Sequence, residues 1–258
     1  MDFLNLIFVS NKIIPCMILV FALTVLLAGQ IKKRSKAFYI ASGAIALFFV
    51  VINIYWNITG MRPEIDSALV NNLMAYVQKG IVGYCLFIIV MFLGVVSKKS
   101  PVARKLMAIR GELAIIASIF SLCHLIIFGI GYFIALFTGN IKDIGYTLLF
   151  ISSALLLVIM IPLWISSFKK IRKRMTPQKW IKLQAYSYYF YFILFGNVIF
   201  VFIRRLLFMG DMLKSKPGAL AETWLSLAVY TLLFGSYTVL RLKKKSARQK
   251  TLSVQNNI

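Results

Sequence analysis

The sequence predicts an all-α membrane protein, a single bundle of seven transmembrane helices. Hydrophobic residues make up 60% of its 258 residues and charged residues only 14%, whereas about a quarter of a soluble domain is charged. Seven apolar runs approach or exceed the roughly 20 residues that cross a hydrocarbon core as a helix. Because these runs are apolar on every face, they do not show the alternating polarity of membrane-spanning strands.

The predicted spans follow one another with short polar connections between them. In order they are residues 13–31, 37–57, 79–97, 112–138, 144–168, 184–208 and 219–240. The first is interpreted as a retained helix and not as a cleaved signal, since Lys12 precedes it and "KKRSK" follows it directly. We treat residues 1–258 as one transmembrane domain with a basic tail at 241–258.

Basic residues are concentrated on one side of this predicted bundle. The loops after spans one, three and five and the C-terminal tail carry 22 of the 30 lysines and arginines, and six of the seven acids lie on the other side. The positive-inside rule places the tail in the cytoplasm and, with seven spans, the N-terminus outside. We therefore expect a multi-pass protein of the cell membrane, with a bacterial plasma membrane as the location.

The net charge of +23 is explained by this topology and by contact with anionic lipid. Nucleic acid is excluded as a partner, because nucleic-acid-binding proteins carry their basic patch on a soluble fold with groove-reading or base-stacking elements. The cysteines Cys16, Cys85 and Cys123 all lie within apolar segments without CxxC spacing, so we interpret them as small buried hydrophobic residues.

His124 is the single histidine of the chain and lies near the middle of the fourth predicted span. An ionisable side chain at membrane depth is a candidate for function, here as a metal ligand or proton carrier. A neutral imidazole that donates a hydrogen bond to a neighbouring helix is the competing interpretation. One histidine also excludes a multi-histidine metal site built by this chain alone.

The fifth span and the helix after it resemble a known family. Residues 161–192 read "IPLWISSFKKIRKRMTPQKWIKLQAYSYYFYF", which is similar to the linker and following helix of the ferric-reductase-like transmembrane family. Within that family it resembles in particular the haem-binding membrane subunit of the bacterial methionine sulfoxide reductase system. The matching residues are Pro162, Leu163 and Ser167 at the helix end, Trp180, Lys182, Leu183 and Tyr188 at the next helix, and Arg110, Gly111 and His124 upstream.

The resemblance implies a ferric-reductase-like part at about residues 79–208, with a cofactor site at the matching positions. Those positions are His124, Gln184, Asn197, Tyr188 and Arg110, with His124 as the expected haem ligand. The chain departs from the family at Gln184 and Asn197, which stand where the family has two histidines. Neither glutamine nor asparagine is a usual axial ligand of haem iron. A haem held by two histidines of this chain is thus excluded, and His124 would need water, methionine or another subunit opposite it.

The tyrosines of "AYSYYFYF", residues 185–192, have two interpretations. Amphipathic rings could form a binding surface for a quinone or a flavin. Tyrosine is also enriched where helices meet the membrane interface, and these residues follow the basic loop directly, so an interfacial belt is the favoured interpretation.

The resemblance implies an electron-transfer subunit of the membrane, that is, an oxidoreductase subunit. It would pass electrons from quinol or a cytosolic flavin reductase to an extracytoplasmic acceptor, with haem b as the implied cofactor and a redox subunit or that reductase as the partner. The alternative is a haem-free relative that acts as a membrane scaffold, an assembly factor or a small-molecule transporter. The loss of both histidines from the sixth span favours this alternative.

Overall fold

The computed structural model describes residues 12–61, 67–97, 99–139, 144–208 and 217–255, and this part of the chain is helical without strands. Its ten helices are α1 (Ile13–Lys33), α2 (Ser35–Thr59), α3 (Ala68–Gln78), α4 (Ile81–Leu93), α5 (Pro101–Met107), α6 (Arg110–Phe137), α7 (Ile144–Ser167), α8 (Lys169–Arg172), α9 (Pro177–Phe208) and α10 (Pro217–Gln255). The all-α fold predicted from the sequence is confirmed.

Six of the described helices are long and apolar enough to cross a membrane: α1, α2, α6, α7, α9 and α10. Helices α3 and α4 are together long and apolar enough for a seventh crossing, although they meet at an angle of 61°. The prediction of seven spans holds in this form. Helix α9 begins at Pro177 and α10 continues to Gln255, so both extend well beyond the spans predicted at 184–208 and 219–240.

The third predicted span, residues 79–97, is wrong as a single helix. The chain breaks at Gly80, which has φ +71, and α4 then runs only from Ile81 to Leu93. Thirteen residues make a helix of about 20 Å, too short for a hydrocarbon core of roughly 30 Å. The crossing therefore needs α3 as its other half, and the polar residue Lys79 marks the break and not the edge of the span.

Helix α4 is the central element of the bundle. Its buried residues cover every face, and they are Gly83, Cys85, Leu86, Phe87, Ile88, Ile89, Val90, Met91 and Leu93. A helix that is apolar all round needs neighbours on all sides. Helices α1, α3 and α6 pack on it, and rings from α9 and α10 complete the enclosure through Phe87–Phe190 at 4.9 Å and Tyr84–Tyr230 at 5.1 Å between centroids.

Four helices form a ring in the order α4, α6, α7 and α9. Helix α6 packs on α4 and α7, and α9 packs on α7, while the Phe87–Phe190 contact closes the ring between α4 and α9. The remaining long helices lie outside it: α1 against α4, α2 against α6 and α10 against α9. All the candidate site residues lie on α6 and α9, two members of this ring.

Candidate functional site

His124 is bonded to the break between α3 and α4. Its Nδ1 lies 2.9 Å from the backbone oxygen of Gln78, the last residue of α3. A carbonyl oxygen can only accept, so Nδ1 carries the proton and, in the neutral ring, Nε2 keeps its lone pair. The bond satisfies one of the carbonyls that a helix end leaves without a partner. His124 is half-buried, with its ring centroid 4.9 Å from that of Phe128.

Gly80 and His124 are packed so closely that no side chain fits between them. A Cβ at Gly80 would lie 2.8 Å from Cγ of His124 and 3.0 Å from its Cβ. The backbone of Gly80 is also in the left-handed region, at φ +71, which favours glycine. The imidazole therefore fills the inside of the bend. The hydrogen bond to a neighbouring helix that the sequence suggests for His124 has a defined acceptor, the backbone oxygen of Gln78.

Arg110 is bonded to the opposite end of α4. Its Nε donates to the backbone oxygen of Val90 at 3.1 Å, and a Cβ at Gly94 would lie 3.5 Å from Nη2 of Arg110. Arg110 is the first residue of α6 and is half-buried. Helix α6 thus holds both ends of the central helix, with Arg110 at one end and His124 at the α3–α4 break.

Tyr188 contacts a cation of α10. The guanidinium carbon of Arg241 lies 4.2 Å from the centroid of the Tyr188 ring, which is the distance of a cation–π contact. One turn further along α10, Nζ of Lys244 donates to the backbone oxygen of Gly94 at 2.8 Å. The ring of Tyr188 is exposed to 41%, in keeping with the interfacial belt predicted for these tyrosines.

Gln184 and Asn197 are not brought together. The amide Nε2 of Gln184 donates to Oγ of Ser166 on α7 at 3.4 Å, so this side chain faces the neighbouring helix of the ring. Asn197 is half-buried on the same helix, α9. It lies thirteen residues further on, or about 20 Å along the axis. The two positions therefore lie at different depths of the bundle.

A cavity lies inside the four-helix ring, and His124 is not among its lining residues. Its walls come from α4, α6, α7 and α9 and include Ser118, Trp164, Ser187 and Tyr191. The indole Nε1 of Trp164 is buried without a hydrogen-bond partner among the described residues. The sequence analysis missed Ser118 and Trp164, because an apolar run shows no sign of which face of a helix borders an internal space.

Glu112 also has a partner that the sequence did not reveal. It lies in the first turn of α6, is 4% exposed, and its Oε1 is 2.7 Å from Nζ of Lys169. The sequence places Glu112 at a helix start, where a carboxylate is favoured by the helix dipole. The ion pair therefore links α6 to the junction of α7 and α8.

The donor set fits one axial bond to haem iron and not two. The described residues contain no group of three or more histidine, cysteine, aspartate or glutamate side chains that could hold a metal ion. The only histidine of the sequence is His124, and the hydrogen bond of its Nδ1 leaves the lone pair of Nε2 without a bond to the backbone. A haem with two imidazole ligands from this chain does not fit.

The central part of the chain is similar to a known family. Residues 79–195 match the model of a family described as "Ferric reductase like transmembrane component". The matched segment runs from the break before α4 into α9, so it contains α4, α6 and α7 of the four-helix ring and the first part of α9. An uncharacterized protein of Treponema pallidum (strain Nichols) is 26% identical over 236 residues, covering 91% of this chain and 61% of that relative. The chain thus spans less than two thirds of the relative's length. No solved structure matches.

Proposed function

We propose, on the premise that residues 79–195 form a ferric-reductase-like transmembrane domain, that this protein is an electron-transfer subunit of the membrane. The observation that carries the proposal is the family match over the ring α4, α6, α7 and α9. Electrons would pass from quinol or a cytosolic flavin reductase on the side of the basic loops to an acceptor on the other side.

His124 is the residue of this chain that would hold a haem b. Its Nδ1–H is fixed to the backbone oxygen of Gln78 at 2.9 Å, which sets the ring's tautomer and orientation in advance. Nε2 then presents a lone pair of defined direction. Bound haem would supply one-electron chemistry at membrane depth. The opposite ligand would come from water, methionine or a histidine of a partner subunit.

The basic end of the ring would serve the electron donor. Arg110, Arg241 and Lys244 are gathered there around the end of α4 by their contacts with Val90, Tyr188 and Gly94. A cationic surface attracts a partner with an acidic face and speeds its encounter with the membrane protein. This surface is the place where a cytosolic flavin reductase would dock.

A haem-free relative is the second candidate, and one specific observation favours it. The ring of His124 packs on Gly80 with no room for a Cβ between them, so a structural need alone accounts for this histidine. Gln184 likewise has a partner within the bundle, Ser166. On this alternative the fold is kept as a scaffold, for assembly or for the handling of small molecules, without a metal centre.

A reduced-minus-oxidised absorbance spectrum of the detergent-purified protein, with a pyridine haemochrome assay, tests the proposal. Protein made with haem in excess is compared with H124A, H124M and the control Q184A. We expect a b-type spectrum in the wild type and in Q184A, its loss in H124A, and a shifted spectrum in H124M, because methionine also ligates haem iron. Wild-type protein without haem would overturn the haem-dependent function and leave the scaffold alternative.

A further inference from the structure

One face of α9 carries two lysines followed by two tyrosines, which we call the lysine–tyrosine stripe. It consists of Lys179, Lys182, Tyr186 and Tyr189. The spacings of three, four and three residues put these side chains on one side of the helix. All four are exposed, the tyrosines to 54% and 64%, and 6.1 Å separates the centroids of the two tyrosine rings. The stripe is thus a continuous surface that the described helices leave uncovered.

The opposite face of α9 is the one that packs into the bundle. Ser187 and Tyr191 line the cavity of the four-helix ring, and Gln184 donates to Ser166 of α7. At 100° per residue these three positions lie roughly on the other side of the helix from the stripe. The stripe therefore faces away from the ring, towards the surrounding lipid.

The stripe runs from the membrane surface into the hydrocarbon. Its lysines lie in the first two turns of α9, which begins at Pro177, and its tyrosines lie within the apolar span predicted at 184–208. Ten residues from Lys179 to Tyr189 cover about 15 Å along the axis, within the roughly 20 Å of one leaflet with its headgroups. A soluble protein does not reach the tyrosines, whereas a lipid molecule lies along the whole stripe.

The surroundings of the two lysines are strongly positive. Residues 169–182 contain seven lysines and arginines, and the sequence has no acid between residues 144 and 210. Lys169 is paired with Glu112 of α6, while Lys170 and Arg172 of α8 are exposed before α9 begins. Clusters of four to eight cations directly beside a transmembrane helix attract anionic lipid headgroups. The charge therefore selects an anionic ligand.

We propose that the lysine–tyrosine stripe binds an anionic phospholipid of the leaflet on the side of the basic loops. Lys179 and Lys182 hold the phosphate, for which lysine is a common partner. The rings of Tyr186 and Tyr189 lie along the glycerol and the start of an acyl chain, the depth at which amphipathic rings are favoured. This inference does not depend on haem or electron transfer, so its failure would leave the proposed function untouched.

The test measures lipid binding by the full chain in a neutral detergent. The protein is titrated with phosphatidylglycerol or phosphatidylcholine, and the lipid retained after gel filtration is counted by mass spectrometry. We expect the wild type to prefer phosphatidylglycerol. In K179Q/K182Q its affinity for that lipid should fall about 25-fold, since each lysine near an anionic headgroup contributes about a factor of five. Binding of phosphatidylcholine should change much less, because its headgroup has no net charge.

The matched control is K243Q/K245Q, which removes the same charge from exposed positions of α10. It should retain phosphatidylglycerol as the wild type does, and an equal loss in both double variants would overturn the proposal in favour of a diffuse charge effect. Equal binding of the two lipids by the wild type would also overturn it.

Two further measurements separate a lipid from other ligands of the stripe. Y186A/Y189A should retain less of both lipids, because the rings contact parts that the two lipids share; unchanged retention would show that no lipid lies along the stripe. Replacing chloride by inorganic phosphate at equal ionic strength should not release phosphatidylglycerol. Its release by phosphate would show a site for free anions and would overturn the assignment to lipid.

Discussion

The two ends of α4 are held by the same helix in opposite ways. At the α3–α4 break, His124 of α6 fills all the space beside Gly80 and bonds the oxygen of Gln78. At the other end, Arg110 of α6 bonds the oxygen of Val90, and a Cβ at Gly94 would lie at an ordinary contact distance of 3.5 Å from Nη2 of Arg110. Both ends have a hydrogen bond to the backbone, but only the first is also closely packed against a side chain, so the first should tolerate substitution far less than the second.

The largest effect is expected for G80A. Alanine would have to adopt φ +71 and place its Cβ 2.8 Å from His124. The left-handed backbone costs about 1–2 kcal/mol and the overpacking about 1–3 kcal/mol, so we expect a loss of about 2–5 kcal/mol in the free energy of unfolding in detergent.

The control is G60A, since Gly60 has φ +67 with nothing within 4 Å of its Cβ position. That variant should lose only the backbone cost of about 1–2 kcal/mol. Equal losses in G80A and G60A would show that the imidazole does not fill the bend. In an H124A background the G80A substitution should cost only the backbone penalty, because the side chain that causes the overpacking is gone.

A smaller effect is expected at the charged end, from K169M. Glu112 is 4% exposed and its partner Lys169 has a side chain 55% exposed, so removing the lysine leaves a buried carboxylate without its cation. We expect a loss of about 1–3 kcal/mol. E112Q should cost less than about 1 kcal/mol, because Lys169 remains solvated. Equal losses in the two variants would contradict this asymmetry; chemical denaturation in detergent measures both.

The smallest effect is expected from R110A. It removes one hydrogen bond, from the guanidinium to the backbone oxygen of Val90, so a loss of about 1.5 kcal/mol is expected, the low end for a hydrogen bond from a charged group. The exposed residue Arg104 is the control, and R104A should stay within about 0.5 kcal/mol of the wild type. A loss in R110A as large as in G80A would show that both ends of α4 are fixed equally tightly.

Hydropathy was sufficient for the number of crossings and for most helix positions. Helix α7, predicted at 144–168, is found at Ile144–Ser167, and α6, predicted at 112–138, at Arg110–Phe137. The break at Gly80 was not predictable in the same way, since a window average does not register a bend. The sequence contained one sign of it, the pair Lys79–Gly80 within an otherwise apolar region, and this was taken as the edge of a span.

The site was less predictable than the fold. The sequence singled out His124 and Arg110, but their acceptors, the oxygens of Gln78 and Val90, are backbone atoms that any residue would supply. The ion pair of Glu112 with Lys169 likewise joins helices that are far apart in the chain. Such pairs are set by tertiary packing, so no local pattern reports them.

The length of α10 has a mechanical consequence. Thirty-nine residues from Pro217 to Gln255 form a rod of about 58 Å, nearly twice the thickness of the hydrocarbon core. Its final turns therefore stand clear of the bilayer on the side of the basic loops. Lys244 ties the rod to Gly94, beside the end of α4, at the point where the rod leaves the bundle. A displacement of its C-terminal turns would therefore act first on α4, the most deeply buried helix of the protein.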